Sequence, residues 1–449
     1  MLPAEGRRLF GTDGIRGRAN VELTADLAMA VGRAAGEFIP GGQVLVGRDT
    51  RRSGEMLSSA LQAGFQSVGI DTIDVGVLPA GGIAFLTSDT RSALGVVVSA
   101  SHNPAADNGI KLLGRNGSKL SDDEEDRIDQ RIRRGPPWKV AIDDGIGTTF
   151  RMAEADDRYL AHLRESMPYT LRGISIALDC ANGAAYRTAP ELFRRLKAEV
   201  EVFAAEPDGT NINAGCGATH PRYLSDRAKG RLGFSFDGDA DRLIAVDEDG
   251  AVANGDVIMA IIARHMKEAG RLKNNIVVST VMANLGFRRA MERLEIDVVE
   301  TQVGDRYVLE AMREHKAVLG GEQSGHVILA DRASTGDGLL TAVRLLEVMA
   351  SSGRELRELR KETITEYPQV LRNVHVADKH KLDGAELLWA AVRDAEARLQ
   401  NEGRILVRAS GTESLVRVMV EASSGTEAAA IADELVEISR GELGAAGDE

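Results

Sequence analysis

Three aspartates within five residues, Asp237, Asp239 and Asp241 in "DGDADR", lie between the apolar runs "LGFSF" and "LIAV". Carboxylates brought that close repel one another unless a cation offsets them, so the loop is a candidate site for a hard, oxygen-seeking metal ion. The spacing also matches positions one, three and five of a calcium-binding helix–loop–helix, with Glu248 at position twelve. Two features exclude that reading. Arg242 occupies position six, where the turn needs glycine, and strand patterns flank the loop. With three protein carboxylates and room for an external oxygen, Mg2+ is the fitting ion.

A serine far upstream is the candidate for that oxygen. Ser101 follows the apolar "ALGVVVSA" in "VVSASHNPAADNGIKLLG", with no G-x-S-x-G elbow around it and no evident hydrolase triad. Carrying a phosphoryl group, it would bring a charge of about −1.5 to −2 and set phosphate oxygens beside the divalent ion. Phosphoryl transfer asks the protein mainly for in-line positioning and charge neutralisation. Lys111, Arg16 in "FGTDGIRG" and Arg242 are the candidate neutralisers or proton handlers, while His102 reads as a turn-stabilising side chain more than as a base.

Two further loops gather polar groups. "GGEQSGH", residues 320–326, puts Glu322, Ser324 and His326 on one turn, a set suited to vicinal hydroxyls that each want a donor and an acceptor. "RASGTES", residues 408–414, offers the Arg408 guanidinium, the Ser410 and Thr412 hydroxyls and free N–H groups around Gly411, the ingredients of a phosphate clamp, with Arg417 as a further candidate.

Elements able to position these loops are legible as alternating strand and helix patterns, which predict an α/β protein with largely parallel sheets. Strand-like "GQVLVG", a helical stretch over 54–68, "DTIDVGV" and "ALGVVVSA" form a first unit. "ISIALDC", a helix through "APELFRRLKA", "EVEVFAA" and the two runs around the acidic loop form a second. "NIVVST", "ANLGFRRAMERLE", "IDVVETQVG" and "AVLGGEQSGHVIL" repeat the plan a third time, without a residue-level repeat. The last stretch differs: two alternating strands in "RILVRASGTESLVRVMVEA" and an Ala/Glu-rich helix read as a smaller α+β cap, with the tail "GELGAAGDE" frayed. The expected boundaries are 1–150, 151–252, 253–366 and 367–449.

Composition narrows the partners. The chain has 449 residues, with 55 lysines and arginines against 68 aspartates and glutamates, a formal net charge of −13 that argues against nucleic-acid or anionic-membrane binding. No apolar run reaches the ~18 residues of a bilayer span. The start, "MLPAEGRRLFGTDG", lacks a signal-peptide stretch, so a soluble cytoplasmic protein is expected. Cys180 and Cys216 are too few for a disulfide framework and read as reduced thiols.

In their order and wording, "FGTDGIRG", "SASHNPAADNGIK", "DGTNINAGCGATHP", "DGDADR", "GGEQSGHVI", "STGDGLLTA" and "GTESLVRVMVE" resemble the α-D-phosphohexomutases over essentially the whole chain. The wording is most similar to the branch acting on glucosamine phosphates. The resemblance implies three similar mixed α/β domains and a smaller α+β C-terminal domain around a central cleft, each contributing one loop. It implies that Ser101 is phosphorylated and, with Asp237, Asp239 and Asp241, holds Mg2+. Arg16, Lys111 and Arg242 would line the transfer site, and Glu322 and Ser324 would meet the sugar hydroxyls within a loop that includes His326. Arg408, Ser410, Gly411 and Thr412 would clamp the distal phosphate on a mobile cap. The implied reaction interconverts glucosamine 6-phosphate and glucosamine 1-phosphate through glucosamine 1,6-bisphosphate, serves UDP-N-acetylglucosamine and cell-wall precursor synthesis, and is carried out by a monomer or homodimer. Ser414 departs from the pattern, since relatives usually carry proline there; this loosens a turn and removes no donor. A phosphomannomutase/phosphoglucomutase, a Mg2+-dependent sugar-phosphate phosphatase and a noncatalytic sugar-phosphate sensor are the alternatives.

Overall fold

Three sheets repeat one arrangement: parallel strands, a reversal of strand order, then an antiparallel strand reached through a short loop. In the first, a six-stranded sheet, Gln43–Arg48 pairs in parallel with both Asp71–Val77 and Leu94–Val98, and Leu94–Val98 then pairs antiparallel with Asp107–Gly114. Ile15–Arg18 and Thr149–Arg151 close the two edges. In the second, five-stranded, Ser175–Asp179 lies parallel to Glu199–Phe203 and Leu232–Phe236, and Leu232–Phe236 turns back antiparallel into Leu243–Val246. In the third, Ile276–Thr280 lies parallel to Asp297–Thr301 and Leu319–Gly321, which turns back into Val327–Leu329.

This topology decides where chemistry can sit. Where a parallel sheet reverses its strand order, the connections at the carboxyl ends of neighbouring strands leave in opposite directions and open a crevice. Ser101, the 237–241 aspartates and Glu322–His326 all follow the strand that makes the reversal in their own sheet. The central strands are apolar on both faces because helices cover both. Leu94–Val98 and Leu232–Phe236 are buried along their whole length, which is why they read as continuous apolar runs rather than alternating ones.

The structure, a computed structural model, describes residues 8–39, 41–410 and 415–444. Contacts divide the chain into two compact units: Met1–Met282 with Glu295–Thr363, and Ala283–Leu294 with Ile364–Glu449. The first holds the three sheets above. The second is built on an antiparallel sheet in the order Gln369–His375, Leu415–Glu421, Arg404–Ala409. The helices Glu386–Leu399 and Gly425–Leu443 pack on it over a core that includes Val374, Leu388, Val418 and Leu435.

One sequence expectation changes here. The helix Leu285–Arg293 is, as read, the crossover between the parallel strands Ile276–Thr280 and Asp297–Thr301 of the third sheet, while its contacts group it with the smaller unit. Its anchor is Glu421, fully buried, whose carboxylate accepts from the Leu285 N–H at 3.1 Å and Asn284 Nδ2 at 3.1 Å, and is paired with Arg404 Nε at 3.1 Å. The tail "GELGAAGDE" was expected to fray from Gly441, yet Gly425–Leu443 stays helical through its first three residues, with Leu443 buried against the core. Among the described residues no helix is long and apolar enough to cross a membrane.

Candidate active site

Ser101 stands three residues past Leu94–Val98 in the left-handed region, φ 49°, a conformation that costs a non-glycine residue about 1 kcal/mol or more and needs outside support. That support is a buried arginine. Arg51 follows the neighbouring parallel strand Gln43–Arg48, and its guanidinium donates to the carbonyls of Ser101 at 3.0 Å, Asn103 at 2.8 Å, Asp107 at 3.0 Å and Pro104. Its Nε is paired with Asp49 Oδ2 at 2.9 Å, and both side chains are fully buried. Asp49 also accepts from Ser99 Oγ at 2.6 Å, and that same Oγ accepts the Ser101 N–H at 2.9 Å. From the second sheet's unit, Asn213 Nδ2 donates to the Ser101 and Asn103 carbonyls at 2.9 and 3.1 Å.

So held, the Ser101 hydroxyl donates to Asp237 Oδ2 at 2.6 Å across a sequence distance of 136 residues. Gly238 permits the approach, because a Cβ there would run into the Ser101 carbonyl and lie 2.8 Å from Ile212 Cδ1. One carboxylate oxygen each from Asp237, Asp239 and Asp241 lies within 4.8 Å of the others, and all three residues are buried. Both Asp239 oxygens and Asp241 Oδ1 are buried without a hydrogen-bond partner. Three orphaned carboxylate oxygens are costly in a dry site and are the donor set that a small hard cation satisfies. The residues present therefore fit Mg2+. Burial, with Asp241 and Asp237 beside it, pushes the Asp239 carboxyl up to about 8, and burial with Asp241 pushes Asp237 up to about 6. Asp241 goes the other way: burial opposes ionisation, but Lys111, His326 and Arg242 outweigh it and hold the carboxyl well below its usual range.

The expected cations surround this cluster. Lys111, on Asp107–Gly114, reaches Asp13 Oδ1 at 2.6 Å and Asp241 Oδ2 at 3.5 Å. Burial works to lower its pKa, yet Asp241 and Asp239 raise it, so Lys111 stays an ammonium. Arg16 is paired with Asp13 and donates to Asn103 Oδ1 at 3.3 Å. Asp13 thus ties two of the expected cations together. Arg242 is bonded through its backbone N–H to Asp237 Oδ1 at 3.1 Å. His102 lies 3.3 Å from Ser101 Oγ, and burial together with Arg242 and Arg16 lowers its ring to about 4, which keeps it neutral.

The 322–326 loop joins the acidic loop through its backbone. The Leu243 N–H donates to the Gly325 carbonyl at 3.0 Å, and the Arg242 and His326 backbones form a bridge. The His326 ring is 3% exposed and faces Asp241 Oδ2 at 3.5 Å, so it supports the carboxylates from behind. Glu322 accepts from the Gly304 N–H at 3.0 Å, and Ser324 Oγ lies 3.4 Å from Glu322 Oε2. In the smaller unit, Arg408 and Arg417 are direct cross-strand partners, and burial plus the neighbouring Arg417 lowers the Arg408 pKa. The Ser410 carbonyl accepts from Lys379 Nζ at 2.6 Å. Gly411 and Thr412, like Ser414, lie outside the described residues.

Sequence reasoning passed over Asp13, Asp49, Arg51 and Asn213. Asn213 sits in the quoted "DGTNINAGCGATHP" without a role. Arg51 carries a readable signal: it leaves the parallel strand beside the serine's, where a strand-order reversal puts a crevice.

Four family models match consecutive stretches of the chain: phosphoglucomutase/phosphomannomutase α/β/α domain I over 7–137, domain II over 157–250, domain III over 254–367 and the C-terminal domain over 371–438. The chain is also 49% identical over 439 residues to the phosphoglucosamine mutase of Desulforudis audaxviator, covering 96% of this chain and 97% of that one. The chain belongs to the phosphoglucomutase/phosphomannomutase family, the α-D-phosphohexomutases. A second phosphohexomutase relative, the phosphoglucosamine mutase of Halalkalibacterium halodurans, is 45% identical over 444 residues, 97% of this chain and 99% of the relative. A solved phosphoglucomutase/phosphomannomutase family protein from Burkholderia thailandensis superposes with a TM-score of 0.82 at 26% identity, covering 98% of each chain.

Proposed function

We propose that this chain interconverts glucosamine 6-phosphate and glucosamine 1-phosphate, with Ser101 as the phosphoryl carrier and glucosamine 1,6-bisphosphate as the intermediate. The observation that carries the reading is the Ser101 hydroxyl 2.6 Å from Asp237 inside a buried aspartate cluster, in a phosphohexomutase whose curated relatives are phosphoglucosamine mutases. Mg2+ held by Asp237, Asp239 and Asp241 would supply charge neutralisation for the transferring phosphoryl group.

The chain's own residues do the rest. Arg51 and Asn213 fix the loop so that the Ser101 oxygen points into the cluster. In the first transfer the bond from Ser101 Oγ to phosphorus breaks as one forms to the oxygen of the free sugar hydroxyl, which gives up its proton while the departing Ser101 oxygen takes one up. In the second, the other phosphate of the bisphosphate returns to Ser101, restoring the starting enzyme. Lys111 and Arg16, set by Asp13, and Arg242 offset charge on the phosphoryl oxygens. Burial of Ser101 and the aspartates excludes the water that would hydrolyse the phosphoserine. Glu322 and Ser324 supply donors and acceptors for sugar hydroxyls, and Arg408 with Arg417 forms the phosphate-binding pair of the smaller unit. We place the protein in the cytoplasm, supplying precursors of amino-sugar nucleotides.

Two measurements test this. Turnover of glucosamine 6-phosphate, mannose 6-phosphate and glucose 6-phosphate is compared, with glucosamine 6-phosphate expected to give the highest kcat/KM; a higher value on either other sugar transfers the assignment to that sugar. Intact mass of the active protein should show one phosphate mapping to Ser101, and Ser101→Ala should abolish both adduct and turnover. Normal turnover by Ser101→Ala would refute the covalent role.

A further inference from the structure

Away from the aspartates, the larger unit contains a cavity of about 570 Å³ lined by Phe85, His162, Lys273, Arg313, Lys316 and Arg332 among others. That volume is in the range of small-molecule sites, ~300 to 1,000 Å³. Its charge is unusual for a protein with a formal net charge of −13. Lys273 comes from the short turn Lys273–Asn275, Arg313 and Lys316 from the end of the helix Asp305–His315, and Arg332 from the turn after Val327–Leu329. Among the described residues none of these four side chains has an ion pair or hydrogen bond. The two lining acids are engaged elsewhere: Asp331 with Arg344 at 3.3 Å, and Asp337 with the Tyr159 hydroxyl at 2.8 Å and the Leu340 N–H at 2.9 Å.

The lining combines two chemistries. Asn274 Nδ2 donates to the His315 carbonyl at 3.3 Å, which draws the 273–275 turn to the helix end and brings Lys273 beside Arg313 and Lys316. Basic residues in a last helical turn commonly offset the helix dipole, and that accounts for Arg313 and Lys316. It does not account for Lys273 and Arg332 arriving from other segments onto the same cavity. In the same lining Phe85 and His162 stack with centroids 4.1 Å apart and planes 15° apart, and Leu309 and Met312 add apolar surface. Burial lowers the His162 pKa, which favours a neutral, stackable ring. Four cations on one cavity suit two linked phosphates, and a stacked aromatic pair in the same lining suits a planar base.

We propose that this cavity is an effector site for a nucleoside diphosphate, free or esterified, separate from the Ser101 site. Its walls reach the acidic loop. Gly81 lines it, and the adjacent Ala80 N–H donates to the Asp239 carbonyl at 2.8 Å; Asp337 lines it, and the adjacent Gly338 N–H donates to the Ala240 carbonyl at 2.9 Å. A ligand that shifts either wall acts on the backbone carrying the aspartates.

The test is calorimetric titration of the full chain with UDP, ADP and pyrophosphate, alone and with saturating glucosamine 6-phosphate, and with the double variant Arg313→Ala/Lys316→Ala. Both substituted side chains are exposed and outside the reaction site, so the variant keeps its fold and basal turnover. Saturable binding of UDP or ADP is expected, weakened roughly tenfold or more in the variant, weaker still for pyrophosphate, and undisturbed by glucosamine 6-phosphate. Saturating nucleotide should change turnover in the parent and not in the variant. No nucleotide binding up to about 5 mM, equal binding by the variant, or displacement by glucosamine 6-phosphate overturns the site. Pyrophosphate binding as tightly as UDP overturns the base platform, and binding without an effect on turnover overturns the effector role.

Discussion

Replacing Arg51 with methionine isolates the buried frame behind Ser101. Methionine keeps length and apolar volume but deletes five hydrogen bonds, one to Asp49 and four to carbonyls of residues 101–107. Asp49 retains only the Ser99 hydroxyl and the residue 51 backbone N–H, and burial already pushes its carboxyl upward even with the guanidinium present. Removing one partner of a buried ion pair costs about 3 to 5 kcal/mol. Asn213 still serves the Ser101 and Asn103 carbonyls, which keeps the expectation within that range rather than above it. At about 2 °C per kcal/mol, the larger unit's melting transition should fall by roughly 8 °C. Turnover of the folded variant should fall by ~100-fold or more, because a loop displaced by an ångström loses in-line geometry. Arg51→Lys keeps the charge with fewer donors and should recover the melting temperature more fully than the rate. Calorimetric melting and kcat on the same preparation check both halves. Arg51→Met that melts and turns over like the parent would refute the claim that this guanidinium holds the loop.

Three further outcomes follow from the same geometry. With chelator present, Asp239→Asn should be more stable than the parent at pH 8: a carboxyl raised from 3.8 to about 8 makes metal-free stability fall as pH climbs through that window, at a cost on the order of 5 kcal/mol. Mg2+ should then stabilise the parent and scarcely move the variant in a melting titration, whereas equal shifts count against the carboxylate assignment. Glu125 is fully buried 3.4 Å from Lys119, and burial raises its carboxyl from 4.5 to about 7, so its contribution to stability is lost as pH rises through that interval. Glu125→Gln should gain about 2 kcal/mol at pH 8 and nothing at pH 4.5 in urea unfolding; a gain that does not depend on pH would sink this. Gly238→Ala should lower kcat by ~100-fold with little change in KM, since its methyl group must displace the Ser101 carbonyl; unaltered kcat contradicts the close approach.

The acidic triad was legible because its carboxylates are adjacent in sequence and one loop suffices to gather them. The sheets were legible because strands buried on both faces, such as Leu94–Val98, leave unbroken apolar runs. The frame of Ser101 was not, because Arg51 acts on backbone carbonyls some fifty residues away, and carbonyls carry no sequence signature. His326 had its loop readable but its direction hidden: facing Asp241 depends on the backbone bridge to Arg242, a tertiary contact. Nor does anything in "ANLGFRRAMERLE" announce that its anchor is Glu421, more than a hundred residues later.

That last attachment makes the smaller unit a discontinuous body, stitched to the larger at three points along the chain, after Met282, Leu294 and Thr363. It cannot be excised as a cassette. A fragment stopping at Thr363 strands Ala283–Leu294 without Glu421, and a fragment beginning at Ile364 leaves that carboxylate buried without the Leu285 and Asn284 donors. Exchange of this unit between homologues must carry residues 283–294 along with it.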